Sequence, residues 1–167
     1  ITNSHASGFD TIFENSNFAG GPFSYWQRQS VKLFGVNLVN NGSLIPDLRS
    51  SKTQGQANFV NPGLLLYNLG FDLDINPKLK MINNCNFLWL ESSSVIEQYV
   101  YAGSINNFIG NDLSSGFEYR PFLNNNAIMT VGVSTLIPGS GFKALYNNPF
   151  GTVDPLVAGF AQLTLTY

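Results

Sequence analysis

The chain has 167 residues, of which 11% are charged, 44% apolar and 14% aromatic, and its formal net charge is −2. Ordinary soluble domains carry about 25% charged residues, so the polar surface here must come mainly from Asn, Ser, Thr and Gln. No basic patch exists to attract nucleic acid, and no run approaches the ~18 consecutive apolar residues of a membrane helix, which argues against a helical span within this sequence.

The length suffices for one domain with a real core. Low charge and abundant aromatics and glycine fit two classes, a membrane β-barrel and a fibre, coat or capsid protein. The single Cys85 cannot form an internal disulfide, and the lone His5 cannot make a His-based metal site. The chain opens on Ile1 with no initiator Met, charged n-region or apolar h-region, so the expectation is a processed product or a fragment.

Ile1 to Pro22 is polar and Gly-rich and reads as a loop or lead-in, with residues 23–167 forming the strands. Phe23 to Leu38 reads as a first strand, with Val31, Leu33 and Gly35 on one face and Arg28, Ser30 and Lys32 on the other. Val39 to Pro62 is a long loop. Gly63 to Ile75 is the clearest internal strand: Leu65, Tyr67, Leu69, Phe71, Leu73 and Ile75 alternate with Asn68, Gly70, Asp72 and Asp74. Asn76-Pro77 is a tight turn. Lys78 to Leu90 returns, with Leu79, Met81, Cys85, Phe87 and Trp89 opposite Lys80, Asn84 and Asn86.

Glu91 to Asn107 is a loop with a helical turn near Val95–Tyr99. Phe108 to Arg120 is a fourth strand, with Leu113, Phe117 and Tyr119 against Asp112, Ser114, Gly116, Glu118 and Arg120. Pro121 to Asn125 turns the chain into a fifth strand, Asn126 to Leu136. Ile137 to Pro155 is a Gly/Pro/Asn loop, and Leu156 to Tyr167 is the closing strand. There Val157, Gly159, Ala161, Leu163, Leu165 and Tyr167 face one way, and Gln162, Thr164 and Thr166 the other.

The connections run long, short, long, short, long. In an antiparallel meander this gathers the short turns at one end and the long loops at the other. Outer-membrane barrels have short periplasmic turns and long extracellular loops; a soluble Greek-key sandwich has no reason to sort them. With that orientation, Tyr119 and Tyr167 lie at the periplasmic edge of the apolar face and Tyr67 and Trp89 at the opposite edge, as an aromatic girdle requires. The expected fold is therefore all-β, an antiparallel transmembrane β-barrel segment of about six strands. A barrel needs about eight to close around side chains, so this segment belongs to a larger barrel or is completed by further copies.

Ile109-Gly110-Asn111-Asp112-Leu113, Glu118-Tyr119-Arg120-Pro121 and Gly132-Val133-Ser134-Thr135-Leu136-Ile137-Pro138-Gly139 resemble the closing hairpin of alginate-export-like outer-membrane porins. Arg49 to Lys52 and Gly55 to Gly63 resemble the C-terminal region of large bacterial outer-membrane proteins of multihaem cytochrome systems. The resemblance covers most of the chain after Phe9. It implies a bacterial outer-membrane location, a lipid bilayer and the barrel-assembly machinery as partners, and a multihaem cytochrome as a further one. The chain departs from haem proteins in lacking C-x-x-C-H, so it binds no c-type haem itself.

Arg28, Lys32, Asp72, Asp74, Lys80, Glu118 and Arg120 are the lumen-lining candidates, as selectivity charges or as cross-strand ion pairs that stiffen the wall. Asp72 and Asp74 have the spacing of a carboxylate pair, but neighbouring lumen acids explain them without a metal. Arg49, Lys52, Gln54 and Gln56 occupy a long loop that either contacts a ligand or is simply solvated. Gly139-Ser140-Gly141 reads as a turn without the strand-to-helix setting of a phosphate loop. No catalytic constellation, cofactor or metal is expected. The leading functional expectation is a porin-type channel or export barrel, with sheathing of a multihaem cytochrome conduit as a further role that the resemblance implies; the alternative is a coat, fibre or capsid subunit with a soluble β-sandwich. A charge placed at Leu165 or Tyr167 should impair membrane insertion more than one at Thr166, measured by heat-modifiable gel migration; equal tolerance at all three contradicts the alternation.

Overall fold

The computed structural model describes residues 18–46, 48, 61–150 and 152–166. The expected first strand is not formed. Phe18–Phe23 makes two 3₁₀ turns across a kink, and helix α1 (Tyr25–Arg28) follows. Ser24 caps this helix: its hydroxyl accepts from the Gln27 N–H at 3.2 Å. The S-x-x-Q spacing is that of a capping box, and it competes successfully with the extended conformation. Strands β1 (Val31–Leu33) and β2 (Val36–Val39) then make a small hairpin. Its turn residues Phe34 and Gly35 both have positive φ, +46° and +94°. Such a two-residue turn matches the natural strand twist, and a glycine favours it. Alternation runs unbroken through Gly35, which is why period two alone suggested a single strand.

The main sheet has five strands in sequential order: β3 (Leu64–Asn76), β4 (Leu79–Leu90), β5 (Phe108–Tyr119), β6 (Ala127–Pro138) and β7 (Leu156–Leu165). Every neighbour is antiparallel. The five internal and terminal strands expected beyond Leu38 therefore occur, within a residue or two of their boundaries. The Asn76 side chain accepts from the Lys78 N–H at 2.8 Å, which closes the first tight turn. The long connections fall together at the opposite end. One carries helix α2 (Ser94–Val100), near the expected helical turn. The last carries α3 (Ser140–Phe150), where a plain loop was expected.

That helix also corrects the reading of Gly139-Ser140-Gly141, which does lie between a strand and a helix. The turn is nonetheless filled from within. The Gly139 N–H donates to the Ile109 carbonyl at 2.6 Å, and a Cβ on Gly141 would sit 1.9 Å from the Asn106 carbonyl oxygen.

The hydrophobic core lies at the long-loop end, on one face of the sheet. Leu88, Leu90, Ile109 and Leu136 from the sheet meet Trp26, Leu33, Leu38 and Val39 from the N-terminal region, Ile96 from α2, and Phe142 and Leu145 from α3. The Tyr146 hydroxyl donates to the Lys32 carbonyl at 2.7 Å, which ties α3 to β1. These elements form a cap over the long-loop half of that face. No described helix is long and apolar enough to cross a membrane. Leu136→Ala, at a fully buried cap contact, should cost about 2–5 kcal/mol of stability. Leu163→Ala, on the uncovered face, should cost well below that, both read from urea unfolding.

Candidate functional site

The two faces of the five-stranded sheet differ in kind. On one, the side chains are apolar and uncovered: Leu69 is 73% exposed, Phe71 64%, Val133 59% and Val157 72%. Polar exceptions occur where Asn83 and Ser115 face each other across β4 and β5, and there the Ser115 hydroxyl donates to Asn83 Oδ1 at 2.8 Å. On the other face, polar side chains are buried, with Asn86 and Asp112 at 0% exposure. A soluble sheet has the reverse arrangement, apolar face in and polar face out.

The registers divide the second face into layers. Nearest the long loops, Leu66 and Leu88 join the cap. Next comes a polar layer of Asn68, Asn86 and Asp112. Small residues follow: Gly70, Asn84, Ser114, Ser134 and Ala158. Below these, Gly116 and Gly132 lie beside Phe160. Charged, hydroxyl and amide groups close the face at the short-turn end: Asp74, Lys80, Glu118, Thr130 and Gln162.

The small layers admit the N-terminal segment, which crosses the face at mid-height. Asp112 is the centre of that contact. Its carboxylate accepts from the Ser24 hydroxyl, from the N–H groups of Tyr25 (3.0 Å) and Trp26 (3.3 Å), and from Asn86 Nδ2 (3.3 Å). Asn86 Nδ2 also donates to the Ala19 carbonyl at 2.8 Å, and Asn68 donates to Asn86 Oδ1 at 2.6 Å. The first N–H groups of α1 have no partner within the helix, and a carboxylate satisfies them best. Burial, and after it the Asp112 charge, push the Tyr25 phenol above its usual range, so it stays neutral.

Phe23 fills the notch beneath. A Cβ on Gly116 would lie 2.2 Å from the Phe23 ring. Phe23 meets Phe160 edge to face at 5.3 Å between centroids, and the Arg28 guanidinium covers Phe160 at 4.1 Å.

The lumen-lining candidates divide accordingly. Asp72, Asp74, Lys80, Glu118 and Arg120 gather at the short-turn end. Lys80 pairs with Asp72 at 2.5 Å, and Arg120 with Glu118 at 2.7 Å. Both pairs are partly exposed, so each contributes about 0–1 kcal/mol. Arg28 reaches the same face from α1 rather than from a strand. Lys32 stands apart, exposed on the small hairpin. No group of three or more His, Cys, Asp or Glu residues that could hold a metal occurs among the described residues. Arg49, Lys52, Gln54, Gln56, His5 and Tyr167 lie outside them.

On the apolar face, Tyr67 and Trp89 meet edge to face at 5.8 Å, at the long-loop end. Tyr119 lies at the other end. Phe108 belongs to the first group as well, 5.1 Å from Trp89. Period two places Phe108 opposite Tyr119, on the polar face. A bulge at Ile109 in β5, opposite the Leu88–Trp89 step of β4, shifts the register, pairs Phe108 with Trp89, and turns Ile109 into the cap core. Asp112 was visible in the sequence as one polar-face residue among several; the Ser24–Gln27 capping spacing was the available sign that its partner is a helix start.

Asp112→Ala leaves four donors without their acceptor and should cost about 3 kcal/mol, while Ser24→Ala should cost about 1 kcal/mol. The double variant should cost less than the sum, because the two share a hydrogen bond; strict additivity in urea unfolding contradicts the network.

Compared with known protein families, with curated proteins and with solved structures, the chain matches none.

Proposed function

We propose that the chain is a wall segment of an outer-membrane β-barrel of porin or export type, with its polar face toward a water-filled lumen. The observation that carries this reading is the uncovered apolar face that runs the length of five long strands, opposite a face of buried and charged polar groups. An apolar surface of this extent needs a partner, and hydrocarbon is the partner that suits a face mainly of Leu, Phe, Val and Met, in which Asn83 and Ser115 satisfy each other. Strands of about 12 residues reach about 40 Å, or about 28 Å in height at a ~45° tilt, close to a membrane's hydrocarbon thickness. The aromatic cluster of Tyr67, Trp89 and Phe108 at one end, and Tyr119 at the other, suits the two interfaces. The segregated connections supply the orientation, with the capped end outward.

Among the described residues, both β3 and β7 have an unpaired edge. Unpaired backbone groups are too costly in lipid to remain open, so further strands complete the wall. The chain's own N-terminal segment occupies the polar face at mid-height, which suits passage of small solutes better than a sheath around a bulky cytochrome.

The two tryptophans provide the test. Trp89 lies on the apolar face and Trp26 is fully buried in the cap. In vesicles of lipids brominated along the acyl chains, a Trp26→Phe variant should lose most of its fluorescence and a Trp89→Phe variant should keep it. A protein that stays monodisperse in buffer without detergent, with neither tryptophan quenched, is the soluble sandwich instead.

A further inference from the structure

We propose that residues 19–28 form an internal strap that sets the open cross-section of the channel, and that Asp112 is the positioning residue that holds it. This inference rests on the reading of the polar face as a lumen.

The strap crosses most of the sheet. At β4, the Ala19 carbonyl takes the Asn86 amide, and Gly20 approaches Asn84 so closely that a Cβ would lie 2.8 Å from its side chain. Gly20 has φ +92°, which glycine adopts at no steric cost. At β5, Asp112 and Gly116 take up Ser24, the start of α1 and Phe23. At β7, Phe160 receives both Phe23 and Arg28. Among the described residues, open space lies beside this path. One groove of about 580 Å³ runs along β3 and β4, past Asn68, Asp72, Asn84 and Glu118. Another of about 520 Å³ lies against Gln27, Arg28 and Asn41. Along this face, these grooves are the space the strap leaves beside it.

The two ends of the strap are held differently. Trp26 is locked into the cap core, with its indole N–H donating to the Leu44 carbonyl at 2.7 Å. The Ala19–Ser24 part lies outside the cap core and is held by hydrogen bonds that converge on Asp112 and Asn86, with Phe23 packed against Gly116 and Phe160. Their loss would free that part while the cap and the sheet ladder remain. The wall does not need the strap for its own hydrogen bonds, because the strands pair with one another along their full length.

The experiment is single-channel conductance of the full-length protein in planar lipid bilayers. Wild type, Asp112→Ala and a Ser24→Cys/Asp112→Cys pair are compared. The pair is made in a Cys85→Ser background to avoid mispairing. Heat-modifiable migration checks that each is folded. Asp112→Ala should conduct at least about two-fold more than wild type. The cysteine pair should match wild type when oxidised and step reversibly to the higher level on reduction, a change that a general loss of stability does not produce. If Asp112→Ala does not fold, the redox comparison alone decides. Insertion with the same conductance in every form and no redox step overturns the strap while leaving the barrel reading intact. Failure of the wild-type protein to enter lipid removes both.

Discussion

One buried carboxylate organises the polar face of this protein. Asp112 sits on a central strand, fully shielded from water, and an unpaired charge there would be strongly unfavourable. The solution is supplied by a distant part of the chain, which brings a serine hydroxyl and the free N–H groups of a four-residue helix. So short a helix is unstable alone. It persists because the carboxylate satisfies its first turn and because Trp26 is buried in the cap. Strand and strap are thus mutually dependent: the acid needs the donors, and the donors need the acid.

The layered face explains why this contact forms where it does. Apolar side chains near the long loops join the cap, and charged ones near the short turns stay hydrated. Between them the residues are small, and a segment carrying Phe23 can press against the backbone. The gradient also separates two kinds of stabilisation. The cap is held by apolar burial, which is strong and non-directional. The strap adds to the burial of Phe23 and Trp26 a set of directional hydrogen bonds, whose net contribution is smaller and more easily altered. A channel wall with a movable internal element, as proposed, needs that division.

The opposite face has no such organisation from within. Its Leu, Phe and Val side chains find partners only along and across the strands, and no described element covers them. This inverted polarity is the physical basis of the proposed membrane setting. In that proposed setting the scarcity of charge also follows, because charged groups are needed only where water reaches, and most of the sheet's charges cluster near the short turns.

Much of the main sheet was legible in the sequence. Strand alternation is a local property, so Leu65 to Ile75 and Val157 to Leu165 announce their faces without knowledge of any partner. The order of long and short connections then fixes how the strands run, and it brings Asp72, Lys80 and Glu118 together. What tertiary structure alone decided depends on contacts far apart in the chain. Ser24 and Asp112 are 88 residues apart, and no local pattern reports that the segment from Phe23 folds onto the sheet instead of joining it. Phe108 changes face because a bulge at Ile109 in its own strand slips the register against β4, and α3 forms where composition suggested a loop because its apolar side packs on the cap. Period and turn chemistry determine which segments become strands; packing determines which of the remaining segments fold inward.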